Sequence, residues 1–411
     1  MIQDRLLPAL EVLLGRGSHD VVDTAVRAAG GRLLGLHRRQ VLYRPGEEAS
    51  VRYAATVSWA GGAPLAETIV AVTHVEGPPA GTLVVAAGDL TVGVFRYPHD
   101  PALPGLPIAT SALAVAGQLG IAGPTVRLSV RTYRPGRRAV IHARETVGGG
   151  ALADSRERFL KVVPPAEAAT LRAGLEHLRR HVPVPRVDGS WPELGIVALD
   201  SLPGRTIREI LVAGDRGALA ALPDADAILD LLERFPQPAA DAPRQRGPIS
   251  RAAAHAGLLA RLLPDERARL ATIVERIGDP PTGLAAVAVH GDLHVAQLLV
   301  EGPRLAGVLD FDDAGRGHRV DDLATMLGHL ATLAAAVPRR RARIEGYLAR
   351  LWPSFAASTS EDELRRGVAA AIIGLASGPF RIQQRDWRRR VRDRLALAEA
   401  WLAGPGGLAQ T

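Results

Sequence analysis

The chain has 411 residues, 47% of them hydrophobic and 23% charged, a composition that excludes disorder and predicts a large buried core in two or three domains. It has no cysteine, which excludes disulfides and thiolate-bound metals. Its 50 basic against 43 acidic residues give a net charge of +7, but aromatic residues make up only 4%, too few for a base-stacking surface, so no nucleic-acid partner is expected.

No uncharged apolar run reaches the length of a membrane span, and Met1-Ile2-Gln3-Asp4-Arg5 does not begin a secretory signal. A cytoplasmic location without a membrane partner is therefore expected. Taken in order, Asp4 to Leu14 and Val21 to Leu34 carry apolar residues at helical spacing. Val51 to Val57, Ala66 to Val72, Thr82 to Ala86 and Leu90 to Tyr97 read as short strands between Gly, Pro and Asp turns. The Pro-rich stretch from His99 to Gly105 is an ordered connector. One tetrapeptide recurs, as Tyr43-Arg44-Pro45-Gly46 and Tyr133-Arg134-Pro135-Gly136, each followed by Ala three residues after the Gly and later by Thr-Val. Two hairpins with the same Pro-Gly turn chemistry account for this. A duplicated strand-turn-strand unit, of which only the second copy is functional, is the richer reading. The plainer one is preferred.

Lys161 is the only lysine in the chain. A surface charge is served equally by Lys or Arg, whereas a compact ammonium reaching phosphate oxygens in a narrow site is not replaceable by a planar guanidinium. Lys161 lies in the strand-like run Arg158-Phe159-Leu160-Lys161-Val162-Val163, ahead of a helical pattern over Ala166 to Arg180. From Arg205 onward the periodicity is helical, over Ile207 to Ala213, Ala225 to Phe235, Ser250 to Leu263 and Pro264 to Ile277. His255 and His318 lack partners at ligand spacing and are expected to be structural or exposed rather than ligands.

The chemistry is concentrated after Ala285. A short apolar strand delivers His290-Gly291-Asp292-Leu293-His294-Val295-Ala296-Gln297, and a second apolar run leads through a Gly-Pro turn to Asp310-Phe311-Asp312. One carboxylate to orient a hydroxyl and accept its proton, plus an amide and a second carboxylate for magnesium, is the inventory of phosphoryl transfer from ATP. With Asp322-Leu323-Ala324 downstream, the segment resembles the aminoglycoside phosphotransferase family of small-molecule kinases, and in carrying Gln297 for the usual Asn it is similar to maltokinase-like and glucosamine kinase-like members.

The resemblance implies an α+β, protein-kinase-like two-lobed fold with a β-rich N-lobe at 119–203, a helical C-lobe at 204–411, and an extra N-terminal α/β cap domain at 1–118. It implies ATP and Mg2+ as cofactors, with Asp292 catalytic. Gln297 and Asp310 would be metal ligands, supported by Asp312. Lys161 would hold the phosphates, with Glu167 or Glu176 as its acid and Glu167 preferred. The turn at Gly136, flanked by Arg137 and Arg138, would approach the nucleotide. Gly195 to Gly204 resembles the hinge, its backbone at about Asp200 to Leu202 meeting adenine. Asp322 would brace the catalytic loop. From Ala331 to Thr411 there are 14 Arg against 7 acidic residues, a balance unsuited to a polycationic acceptor. The aromatic and polar stretch Gly378 to Trp387 would suit a sugar equally with being an ordinary helix start. A sugar-like hydroxyl acceptor is expected. An antibiotic-modifying aminoglycoside phosphotransferase and a regulatory pseudokinase are the alternatives.

Overall fold

The structure is a computed structural model that describes residues 2, 4–121, 126–147, 154–214, 216–238 and 244–404. The chain divides into two compact units. The first comprises Met1–Ala173, Val187–Ser201 and Phe380–Arg385; the second comprises Gly174–Arg186, Leu202–Pro379 and Asp386–Thr411.

In the first unit, helices α1 (Ala9–Leu14) and α2 (Ser18–Ala28) precede strands β1 (Gly31–Arg44), β2 (Glu48–Trp59), β3 (Leu65–His74), β4 (Leu83–Ala87) and β5 (Leu90–Arg96). These form an antiparallel sheet in the order β1-β2-β3-β5-β4. The helix expected to run to Leu34 stops at Ala28, because Gly30 adopts φ +79° and releases the chain into β1. The leucines beyond that break extended the helical pattern but belong to the sheet. Alternate residues of β2, from Ala49 through Val51, Tyr53 and Ala55 to Val57, are buried, the period of a strand with one covered face.

Helices α3 (Leu106–Ala109) and α4 (Ala112–Gln118) lead to β6 (Val126–Arg134), β7 (Arg138–Val147) and β8 (Asp154–Val162). Helix α5 (Pro165–Leu178) then separates β8 from β9 (Val187–Trp191) and β10 (Ile196–Asp200). This second sheet has the order β6-β7-β8-β10-β9. Val70 and Phe95 of the first sheet share a core with Leu103, Leu106, Tyr133, Ile141, Leu160 and Ile196.

The second unit opens with β11 (Arg205–Thr206), α6 (Ile207–Ala213), α7 (Arg216–Ala220), α8 (Ala225–Glu233), α9 (Pro248–Leu262) and α10 (Arg267–Ile277). Four short strands follow: β12 (Val287–Val289), β13 (Leu298–Glu301), β14 (Arg304–Val308) and β15 (Gly315–Gly317). Helices α11 (Arg319–Ala336), α12 (Arg341–Ala357), α13 (Glu361–Ala376), α14 (Gly378–Arg381) and α15 (Trp387–Leu402) complete the chain. Helix α11 is buried around most of its circumference. It lies close to α13 because Gly328 faces Ala371 and Gly367 faces Ala324, where an added Cβ would sit 2.7 Å from the alanine methyl. No single helix is long and apolar enough to cross a membrane. A β-rich part followed by a helical part is the α+β, protein-kinase-like arrangement, here with the additional N-terminal sheet.

Candidate active site

Strand β12 pairs with β15 and ends one residue before His290, which is fully buried. The turn that follows is fixed from below by Asp322, in the first turn of α11. Its two carboxylate oxygens accept the N–H groups of His290 (2.8 Å) and Gly291 (2.9 Å). Asp322 is completely buried, and burial pushes its carboxyl above the ordinary range against the pull of those bonds. The bracing role expected of it is present. His290 donates from Nε2 to the Leu309 carbonyl (2.9 Å), leaving Nδ1 to accept the Asp292 N–H. Its ring packs on Phe311, with centroids 4.9 Å apart, and on Phe235. Gly291 sits at φ +83°, and a Cβ there would lie 1.9 Å from the Asp313 carbonyl oxygen, so the turn admits no side chain.

The β13–β14 hairpin brings the next two groups together. Leu298 pairs with Val308, and one residue outward the Leu309 N–H donates to the Gln297 carbonyl (2.9 Å). The Gln297 side chain is buried, and its Oε1 has no hydrogen-bond partner among the described residues. Asp310 follows at φ +59°, a left-handed conformation costing a non-glycine residue about 1 kcal/mol. Asp312 is exposed on the same turn. Burial pushes the Asp292 carboxyl up to about 6, and the charges of Asp313 and Asp310 add to the effect. Magnesium fits this donor set: a buried neutral oxygen without a partner, beside carboxylates that disfavour one another's ionisation.

Three residues near Asp292 were given no role in the sequence reading. One is Asp313. The others are His294 and His329, whose rings stack with centroids 4.2 Å apart. Burial holds both imidazoles below their usual range, His294 down to about 4, so both are neutral at pH 7. His294 Nδ1 accepts the Ala296 N–H (3.2 Å), which places its proton on Nε2, 4.0 Å from the nearer Asp292 oxygen. Ligand atoms of Asp292, His294 and His329 lie within 4.8 Å of one another, but a protonated Nε2 has no lone pair to give a cation. His294 is a hydrogen-bond donor here. The signal for His329 was its spacing from Asp322: seven residues along a helix return to the same face.

In the first unit, Lys161 lies on β8, the central strand of the second sheet, opposite Val140 and Val197. It is 7% exposed. Gly136 occupies the β6–β7 turn at φ +71°, and its N–H donates to Asp100 Oδ2 (2.8 Å). Arg137, considered for phosphates, is paired with Glu48 at 2.9 Å. Glu167 is exposed in the first turn of α5 and makes no ion pair among the described residues. Asp200 ends β10, with one oxygen 3.4 Å from Arg156, and the Ser201 N–H bonds to the Glu157 carbonyl. The chain passes to the second unit at Leu202, whose side chain lies against Gly307.

The stretch Gly378 to Trp387 behaves as a helix start. Asp386 pairs with Arg389 and Arg390, Arg388 stacks over the Trp387 ring at 4.5 Å, and Gln383 accepts from Arg38. A cavity of about 610 Å³ lined by Ala331, Arg341, Glu345, Asp393 and Trp401 shares no residue with the turn that carries Asp292. His318 precedes α11 and accepts Arg244, and His255 packs on Gly374, both structural as expected.

A buried amide oxygen beside carboxylates is a donor set that a divalent cation would fit, as expected of a phosphotransferase. Comparison with known proteins gives the same class: the profile of the phosphotransferase enzyme family matches residues 150–358, half of the chain. The chain belongs to that family, as an ATP-dependent, magnesium-using small-molecule kinase whose acceptor is an alcohol group. No curated protein sequence matches it. Among solved structures it is similar to a thermostable mutant of aminoglycoside phosphotransferase APH(4)-Ia in complex with ADP and hygromycin B, with 16% identity, a TM-score of 0.49, and coverage of 72% of this chain and 99% of that one. Others are aminoglycoside phosphotransferase APH(3'')-Id from Streptomyces rimosus (20% identity, TM-score 0.39, 62% and 96% covered) and macrolide 2'-phosphotransferase MphH from Brachybacterium faecium (20%, 0.36, 69% and 97%).

Proposed function

We propose that the chain moves the γ-phosphoryl group of ATP to a hydroxyl of a sugar or amino sugar. The observation that carries the reading is the unpartnered, buried Oε1 of Gln297 beside the strained Asp310 and the raised carboxyl of Asp292. Asp292 orients the acceptor hydroxyl and takes its proton. A carboxylate with its pKa near 6 is still ionised at neutral pH and is a stronger base than an ordinary one. Gln297 and Asp310 hold magnesium, with Asp312 in support, and the bound metal supplies charge neutralisation at the phosphates. Lys161 holds the α- and β-phosphates, Gly136 allows close backbone approach to the nucleotide, and the backbone of Asp200 to Leu202 takes adenine.

The acceptor class is argued from charge. Of the 7 acidic residues beyond Ala331, Glu345, Glu361, Asp362, Asp386, Asp393 and Glu399 are each paired with an arginine. A polycationic aminoglycoside would need carboxylates not already engaged, whereas a neutral or singly charged sugar would not. The test is ATP turnover with magnesium against monosaccharides, amino sugars, disaccharides and aminoglycosides, with Asp292→Asn as control. Turnover on sugars that is lost in the variant is expected. Turnover confined to aminoglycosides would replace the acceptor, and tight ATP binding without turnover would favour a pseudokinase.

A further inference from the structure

The repeated tetrapeptide is the visible part of a larger repeat. Asp4-Arg5-Leu6-Leu7-Pro8-Ala9-Leu10 and Asp100-Pro101-Ala102-Leu103-Pro104-Gly105-Leu106 share the pattern Asp-x-x-Leu-Pro-x-Leu, and all four of its leucines are buried. The hydrogen bonds match as well. Oδ1 of each aspartate accepts the N–H two residues on, from Leu6 or Ala102, at 3.0 Å. Oδ2 reaches a distant hairpin turn. In one case it accepts Tyr43 Oη–H (2.7 Å) and Gly46 N–H (2.8 Å); in the other it accepts Tyr133 Oη–H (2.8 Å) and Gly136 N–H (2.8 Å). The two glycines sit at φ +72° and +71°. The sheets that follow have the same strand order, first-second-third-fifth-fourth. Unrelated hairpins would share a turn, but not the preceding segment, the carboxylate joining it to the turn, and the topology. These shared features favour the duplicated unit over two hairpins that only use the same Pro-Gly turn chemistry.

The copies differ where nucleotide chemistry is expected. Four residues beyond the turn glycine stand Ser50 and Val140, and their partners on the next strand are Val72 and Lys161. Val72 packs against the core that Val70 and Phe95 share with the second copy. In place of helix α5 the first copy has only residues 75–82 between its third and fourth strands.

We propose that the first copy is a chemically silent duplicate of the nucleotide lobe, and that in the second copy the shared aspartate lock makes Asp100 a positioning residue for the nucleotide. This rests on the assignment of the Gly136 turn to ATP. Asp100, 3% exposed, fixes that turn through a charge-assisted bond to the Gly136 N–H. Asp4 makes the same bonds for a turn that has no lysine beside it. Evolution has thus supplied the control.

The experiment compares Asp4→Asn with Asp100→Asn in the full chain, reading melting temperature, ATP affinity by calorimetry with magnesium, and steady-state kinetics. Both variants are expected to lose similar thermal stability. Only Asp100→Asn is expected to weaken ATP binding, by about tenfold, with KM for ATP rising in step and kcat and acceptor KM unchanged. Wild type should bind one ATP per chain. Tyr43→Phe and Tyr133→Phe, which each remove one hydroxyl, repeat the contrast should an Asn variant fail to fold. If wild type binds ATP but the two copies respond alike, or two ATP bind, this inference is wrong while the kinase reading stands. If wild type binds no ATP, both fall.

Discussion

The two five-stranded sheets of the first unit have the same strand order and the same aspartate lock, and they part at one register position. The second sheet carries Lys161 there, buried at the centre of the sheet; the first carries Val72, packed against the core that the two sheets share. A β-scaffold can therefore be kept whole while a buried ammonium at one register position is exchanged for apolar contact. Function sits in a few side chains placed on the fold rather than in the fold itself.

The sharpest way to break that comparison is to remove the differing residue from each copy. Lys161→Ala is expected to lower kcat/KM for ATP by a factor on the order of 10² to 10³ with little change in melting temperature. Val72→Ala is expected to lower stability by about 1–2 kcal/mol in denaturant titration and leave kcat/KM intact. Equal kinetic effects would mean that the copies are not functionally distinct. Asp322 in the second unit extends the comparison to an aspartate that locks the turn leading to Asp292. Asp322→Ala strands one buried and one part-buried N–H group and should cost about 3 kcal/mol of stability along with most of the turnover. The smallest effect belongs to the C-terminal ion pairs: Glu345→Gln, which frees a half-exposed Arg341, should change stability by no more than about 0.5 kcal/mol and acceptor KM not at all.

Much of the arrangement from His290 to Asp322 was legible because its groups are close in sequence and their spacing is set by one turn and one hairpin. The order His-Gly-Asp-x4-Gln, Asp-Phe and Asp-Leu-Ala was enough to expect Gln297 and Asp310 on one hairpin and Asp322 bracing the turn of Asp292. The role of Asp100 was not legible, since its partners lie 33 and 36 residues away and only the folded sheet brings them together. Strand β1 was missed beyond Leu34 because its His37-Arg38-Arg39-Gln40 run carries no apolar alternation. The Trp387 stretch read equally as a sugar platform and as a helix start, because local sequence does not reveal that Arg388 lies over the ring and that arginines pair with Asp386.

The central claim is that Asp292 is the base, and its raised pKa offers a direct test. Burial and the neighbouring Asp313 and Asp310 disfavour its charged form, moving its pKa up to about 6. A carboxyl raised on folding favours the native state at low pH, and that contribution is lost as pH rises through the folded value. The neutral Asp292→Asn variant should therefore melt above wild type at about pH 8, while having lost turnover. The measurement to make is kcat/KM against pH for wild type and Asp292→Asn. The account predicts a wild-type profile flat near neutrality that falls about tenfold per unit below about pH 6, with the variant showing only residual activity and no such limb. A variant that retained wild-type turnover, or the same acidic limb, would contradict it.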